Sequence, residues 1–353
     1  MVQADIESQL VDVDRLAPFL NESIEGDGPL SVTRHIAGHS NETFFVSRGE
    51  HHWVLRRPPL AVYLPTAHDV LREARVLKAL NPTAVRVPRV VLVCEDVSVI
   101  GAPFYLMEKV EGHVLRSDIP GVIDNPTDHR RVGEELVRSL AELHSVDPTA
   151  VGLESFGKPK GYLARQVRRW TGQLELATSV TSSTRELPDM WRVRDWLTVN
   201  LPDEVLASVV HGDYKLDNVI FADGSPARLR AILDWEMSTL GDPFADLGWL
   251  ISLWRQKDDP PDPLHDELAR ITSAEGFPSR AELVEMYSEF SGRRVPDLTW
   301  YVVAAIWKLA CLLEGSFGRH LMGTTDDPFF ARLESGVPAL AKSALDIAAG
   351  GIT

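Results

Sequence analysis

Three residues in the middle of the chain have the types and spacing to share one piece of chemistry. Asp213 and Asn218 stand five positions apart in HGDYKLDN, and Asp234 closes the later run ILD. A loop that folds back between positions 213 and 218 brings a carboxylate and an amide oxygen to one point. A hairpin through the β-branched pieces NVIFA and LRAILD would return Asp234 to the same place. Phosphoryl transfer needs such a set, because one carboxylate must orient the attacking hydroxyl while hard oxygen ligands hold the Mg²⁺ that neutralises the phosphates. Asp213 takes the first role in that scheme, and Asn218 and Asp234 the second. A metal-dependent hydrolase working without a nucleotide would use the same carboxylates.

Neighbouring acids read less sharply. Asp246 opens the apolar helix FADLGWLISLW, where a carboxylate favours the helix N-terminus. Asp242, in Gly-Asp-Pro, reads as a turn residue. Glu236 lies two positions after Asp234, and on a regular strand it would share that residue's face. A second metal, the substrate or plain solvation would each account for it.

HGDYKLDN resembles the H-x-D-x-x-x-x-N catalytic loop of the aminoglycoside phosphotransferase family, small-molecule relatives of the protein kinases, and ILDWE followed by GDPFADL resembles that family's metal-binding segment. The likeness runs from Ile36 to about Leu340. It implies an α+β, protein-kinase-like two-lobe fold: a small, mainly β N-lobe over residues 1–107, an interlobe hinge at 108–112, and a larger, mainly α catalytic and substrate-binding lobe over 113–353. It also implies ATP, with GTP as the less favoured nucleotide, Mg²⁺, and a small-molecule hydroxyl as acceptor. By the same resemblance His211 orders the catalytic loop and Asp246 anchors it.

The resemblance assigns nucleotide contacts to the first lobe. Ser40 and Asn41, in GHSNETF, fall in the expected phosphate-covering hairpin. Arg56, in WVLRRPP, stands where the family normally has a Lys on the α- and β-phosphates, with Glu73 of LREARVL as its partner. Arginine keeps the charge but presents a wider planar fork. A nucleotide-binding regulatory protein with little or no transfer activity is therefore the alternative reading. Met107, Glu108 and Val110 lie in FYLMEKVEG, the expected hinge, whose backbone would meet the purine edge while Met107 packs on the ring.

Acceptor signals conflict. Aminoglycosides are polycations, yet KPKGYLARQVRRW carries five basic residues and no acid. At helical spacing Arg165 lies one turn from Arg168, giving a basic face suited to phosphates or to a coenzyme A thioester. This run and the L-R-x-P-P segment also resemble the kinase-like region joined to some acyl-CoA dehydrogenases, for which a hydroxyacyl-CoA is the proposed acceptor. Arg319 is a further candidate for the substrate cleft. A solvated basic helix face is the plainer alternative for the run.

The supporting elements follow from periodicity. Ile6, Leu10, Val13, Leu16 and Phe19 predict an amphipathic leader helix over 5–20, and short strands with turn chemistry predict an antiparallel meander from Leu30 to Arg56. A helix over 66–80 and strands in VPRVVLVCE and PFYLMEKV complete the first lobe. Helices are then expected around Val132–Leu143 and near 160–178, 190–199, 245–256, 279–291, 297–319 and 328–348. The apolar run Trp300–Leu313, interrupted by Lys308, reads as a buried core helix.

Composition narrows the class. The 353 residues carry 36 Lys and Arg against 51 Asp and Glu, a net charge of −15, which argues against a general nucleic-acid or polybasic membrane binder. No obligate protein partner is evident. Two separated cysteines exclude a disulfide framework, and MVQADIESQL lacks the basic and apolar regions of a signal peptide, so the cytoplasm is the expected compartment.

Overall fold

The computed structural model describes residues 10–24, 26–35, 41–60, 69–204, 207–260, 262, 264, 268–324 and 327–350. Ile6 of the expected leader helix and Ser40 of the expected hairpin lie outside them. The chain forms two compact units. The first comprises Met1–His113, Val219–Asp223 and Leu229–Ser238, and the second comprises Val114–Asn218, Gly224–Arg228 and Thr239–Thr353.

The first unit is built on a five-stranded antiparallel sheet. Strands β1 (Ser31–His35), β2 (Glu42–Arg48), β3 (His51–Arg57), β4 (Val90–Cys94) and β5 (Phe104–Glu108) take the order β1-β2-β3-β5-β4. Helix α1 (Val13–Ser23) starts at Asp12, whose side chain accepts from the Arg15 amide, and it buries Leu16 and Leu20. Leu16, Leu20, Phe44, Val46, Trp53, Leu55, Phe104 and Leu106 form one apolar cluster. Helix α2 (Val70–Leu80), capped by Asp69, turns Ala74, Leu77 and Leu80 inward, and Glu73 with them.

A later segment completes this unit. Strands β7 (Val219–Phe221) and β8 (Leu229–Ile232) pair antiparallel with Val219 opposite Ile232. His113 bridges to Phe221, each residue's amide donating to the other's carbonyl at 2.8 Å. Gly112 makes that approach feasible. Its φ is +142°, and a Cβ there would sit 2.2 Å from the Phe221 carbonyl oxygen.

The second unit is mostly helical: α3 (Pro126–His144), α4 (Tyr162–Thr181), α5 (Pro188–Val199), α6 (Phe244–Ser252), α7 (Arg280–Ser291), α8 (Thr299–Leu321), α9 (Pro328–Ala331) and α10 (Leu333–Gly350). Strand β6 (Ser208–Val210) pairs with β9 (Thr239–Gly241), a strand that the sequence pattern did not suggest. Helix α8 runs past the expected end and is long and apolar enough to cross a membrane, but most of it is buried within the protein. It packs on α4, α5, α6 and α10. Burying side chains such as Val303, Ile306 and Ala310 removes apolar surface from water, at about 25 cal/mol per Å². Trp300 and Trp307 keep their indole donors satisfied on the Leu197 and Met190 carbonyls of α5, at 3.0 and 2.9 Å.

Candidate active site

In the second unit the chain between β6 and β7 forms a loop pinned from both sides. Tyr214 is buried and its hydroxyl donates to the Leu136 carbonyl of α3 at 2.9 Å. Gly212, with φ +84°, reverses the backbone between the buried His211 and Asp213. The Asp213 amide then donates to His211 Nδ1 at 3.2 Å. Leu216–Asn218 turns as a short 3₁₀ helix and folds Asn218 back. Its Nδ2 donates to the Asp213 carbonyl and to Asp213 Oδ2, each at 2.8 Å. Asp213 keeps 20% of its side chain exposed and lies 3.6 Å from Lys215 Nζ.

Asp246 holds this loop by its backbone. From the first turn of α6, its Oδ2 accepts from the His211 amide at 2.6 Å, and its Oδ1 from the Gly212 amide at 2.8 Å. His144 adds an Nε2 contact to Oδ2 at 3.3 Å, and its Nδ1 meets the Tyr287 hydroxyl at 2.7 Å. Burial lowers the His144 pKa despite its carboxylate neighbour, so the imidazole is neutral at pH 7. Burial alone would raise the Asp246 carboxyl, but the His144 and loop-amide hydrogen bonds outweigh it and hold it below the usual range.

Asp242 also differs from a simple turn residue. It is buried, accepts from the Phe244 amide at 2.9 Å and takes the Tyr301 hydroxyl at 3.0 Å.

Sequence reasoning overlooked Lys308. Its ammonium lies 3.9 Å from the centre of the Trp249 ring and donates to the Gly212 carbonyl. A single cation inside an otherwise apolar helical run was the available signal.

In the first unit, Arg56 stands on β3 opposite Tyr105 of β5. Its Nη2 faces three carboxylates: Asp234 Oδ1 at 3.2 Å, Glu73 Oε2 at 3.4 Å and Glu236 Oε2 at 3.9 Å. Burial alone would lower the guanidinium's pKa, but Glu73 and then Tyr105, Asp234 and Glu236 outweigh it and raise it. Glu73 also accepts from the Trp235 amide at 3.3 Å. Asn41 Nδ2 reaches Glu236 Oε2 at 3.4 Å.

Asp234 is left-handed, φ 64° and ψ 66°, the one non-glycine residue with positive φ among the described residues. Such strain persists where surrounding contacts hold it, and it concentrates at functional sites. The following Trp235–Met237 is a 3₁₀ turn, not the regular strand that would align Asp234 with Glu236. Both carboxylates nevertheless reach Arg56.

The remaining candidates make local contacts of their own. Met107 is buried on β5 opposite Val54, and the Glu108 amide donates to the Arg89 carbonyl at 2.9 Å, with Val110 half-buried beyond it. Arg165 turns back on its own approach loop, onto the Lys158 and Lys160 carbonyls. The N-terminus of α4 is closed by Glu204, which accepts from the Gly161 amide at 2.5 Å and from the Leu163 amide. Arg168 is exposed on α4. Arg319 sits in the last turn of α8, donating to Ser316 Oγ at 2.9 Å.

A carboxylate and an amide on one looped segment, with a second carboxylate after a hairpin, invite comparison with known proteins. The model of the phosphotransferase enzyme family, APH, matches residues 31–283. The chain belongs to this family. Within curated proteins it is similar to acyl-CoA dehydrogenase family member 11 of Rattus norvegicus, 36% identical over 331 residues. That match covers 90% of this chain and 41% of the relative, so the family member described here spans about two fifths of that protein's length. A candidate aminoglycoside phosphotransferase from Ralstonia eutropha JMP134 shares the fold with a TM-score of 0.81 and 34% identity, over 97% of this chain and 99% of that one. Spectinomycin phosphotransferase APH(9)-Ia, solved with ADP and spectinomycin, matches 94% of this chain and 98% of its own at a TM-score of 0.59 and 11% identity. The family's protein-kinase-like fold is thus present: a five-stranded antiparallel sheet followed by a mostly helical region.

Proposed function

We propose that the chain transfers the γ-phosphoryl group of ATP to the hydroxyl of a small molecule, in a Mg²⁺-dependent reaction. The observation that supports this most directly is the folded-back loop, in which Asn218 fixes the Asp213 carboxylate while leaving it partly exposed. Asp213 would accept the hydroxyl proton as the acceptor oxygen attacks the γ-phosphorus and ADP leaves. Asn218 and Asp234 would hold Mg²⁺, with Arg56 on the phosphates and Glu73 steadying it. The donor chemistry fits. Asn218 commits its amide nitrogen to Asp213, so its oxygen is the atom left for a hard cation, and Asp234 offers a carboxylate that is 32% exposed. Bound Mg²⁺ supplies neutralisation of phosphate charge.

The acceptor is best read as anionic. Lys215 and Lys308 place positive charge on the Asp213 loop, Arg169 faces Lys308, and Arg168 is exposed on the same helix as Arg169. That environment favours a hydroxyacyl-CoA thioester over a polycationic aminoglycoside. ATP and Mg²⁺ are abundant in the cytoplasm, the compartment we propose. A mass-spectrometric screen with ATP and Mg²⁺ against hydroxyacyl-CoA thioesters, aminoglycosides and choline-like alcohols tests the reading. An 80-Da gain on one class, lost in Asp213→Ala, is the expected result. Because Arg56 is held by three carboxylates, nucleotide binding without transfer to any acceptor would instead indicate a regulatory protein.

A further inference from the structure

Lys308 is the one charged side chain in the apolar body of α8 from Trp300 to Leu313. A lysine costs several kcal/mol to bury unless the structure compensates it. Here the compensation comes from chosen partners. The ammonium stands 3.9 Å from the centre of the Trp249 ring and 5.7 Å from that of Trp170, and it donates to the carbonyl of Gly212. That carbonyl belongs to the peptide whose nitrogen is the Asp213 amide. The opposite side of the same loop is held by Asp246, which takes the His211 and Gly212 amides. The peptide groups just before Asp213 are thus gripped at their donors by a carboxylate and at an acceptor by an ammonium.

We propose that Lys308 is a positioning residue for phosphoryl transfer, fixing the Gly212–Asp213 peptide and with it the direction in which the Asp213 carboxylate points. This rests on the transferase reading given above. An apolar side chain would pack in α8 at least as well, so stability alone does not explain a lysine there. Proximity effects do: a small misorientation of a general base costs far more rate than binding energy.

The charged and titratable groups facing Lys308 are Asp213 and Lys215 on the loop, Asp246 on α6 and Arg169 on α4. Burial, the largest influence, pushes its pKa down to about 8 against the pull of Asp213 and Asp246. Protonation of Lys308 therefore changes within an accessible range, and Asp213 should report it.

Two measurements separate this inference from the reading beneath it. The first follows the Gly212 and Asp213 amide resonances of the full chain by transverse-relaxation-optimised NMR between pH 6 and 10. The wild type should show a transition near pH 8 that is absent in Lys308→Met and in Lys308→Arg. The second measures Mg-ATP turnover, with water as acceptor where no better one is known. Lys308→Met should lower kcat about tenfold or more, as expected for a lost charge-assisted hydrogen bond at the reacting group, with the nucleotide KM within twofold and the melting temperature not reduced. Lys308→Arg should recover most of that loss and remove the basic limb of the pH–rate profile.

Unchanged amide titration in Lys308→Met, or turnover within twofold of wild type, would overturn the positioning role and leave the transferase reading intact. A wild type without any ATP turnover would instead remove the transferase reading, and the role in transfer that rests on it. The amide titration would still read the loop contact itself.

Discussion

Asn218 donates from one nitrogen to two oxygens of Asp213, the main-chain carbonyl and the carboxylate, each at 2.8 Å. This double contact closes the six-residue loop from Asp213 to Asn218 and sets both the position and the rotamer of the residue proposed as base. A hydrogen bond to the carboxylate alone would leave the backbone free to carry Asp213 away from the acceptor.

Replacing Asp213 should therefore separate binding from chemistry. Asp213→Ala is expected to lower kcat by about 10²–10⁴-fold, the range for loss of a general base, while nucleotide affinity measured by calorimetry stays within threefold. Near-normal turnover by this variant would reject the assignment.

Asp234 carries both a charge and an unusual backbone. Asparagine tolerates the left-handed region, so Asp234→Asn should preserve thermal stability while removing the carboxylate. Its affinity for Mg-ATP is expected to fall about tenfold or more, roughly 1.4 kcal/mol, with metal-free nucleotide binding little changed. Equal losses with and without Mg²⁺ would speak against a role in holding the metal.

The Arg56 cluster predicts a large stability effect from one side chain. Arg56→Met leaves Glu73 buried without its cation and should cost about 3–5 kcal/mol in urea unfolding. Adding Glu73→Leu should restore part of that, because the unpaired carboxylate is then gone. If the single variant lost less than about 1 kcal/mol, the cluster would be a weak surface-type pairing.

Acid should loosen the loop's anchor through His144. Its folded pKa lies below the unfolded value of 6.5, so between those two values the unfolded chain binds a proton that the native chain does not. Stability falls as pH drops through that window. Asp246 adds a second loss further down, as pH falls below the usual carboxylate range toward its depressed folded value. Melting temperatures from pH 7.5 to 4.5 should decline in the wild type, and the decline between pH 6.5 and 5 should be shallower in His144→Gln. An identical slope in that variant would assign the acid sensitivity elsewhere.

Gly112→Ala offers a purely steric test. The added Cβ would meet the Phe221 carbonyl oxygen at 2.2 Å, on a backbone with positive φ. A loss of about 2 kcal/mol or more is expected from the forced shift, read by thermal or urea unfolding. Wild-type stability would mean that the His113–Phe221 bridge is dispensable.

Much of this protein could be read from its sequence alone, because the relevant signals are local. Short apolar runs bounded by turn residues in ETFFVSR and HHWVLRR give β2 and β3, and the spacing of Val132, Leu136 and Leu140 gives α3. Asp213 and Asn218 are close in the chain, so a short turn suffices to join them. The contacts of Arg56 with Glu236, of Asp246 with the His211 and Gly212 amides, and of Lys308 with Gly212 span from 34 to 180 positions, and only the folded chain decides them. Local propensity carries no term for such pairs. Sequence marked Lys308 as an interruption and Arg165 as part of a basic face; tertiary packing turned the first toward the Asp213 loop and the second onto its own backbone. Burial is the physical reason, since a polar group removed from water must take whichever partner the fold brings within reach.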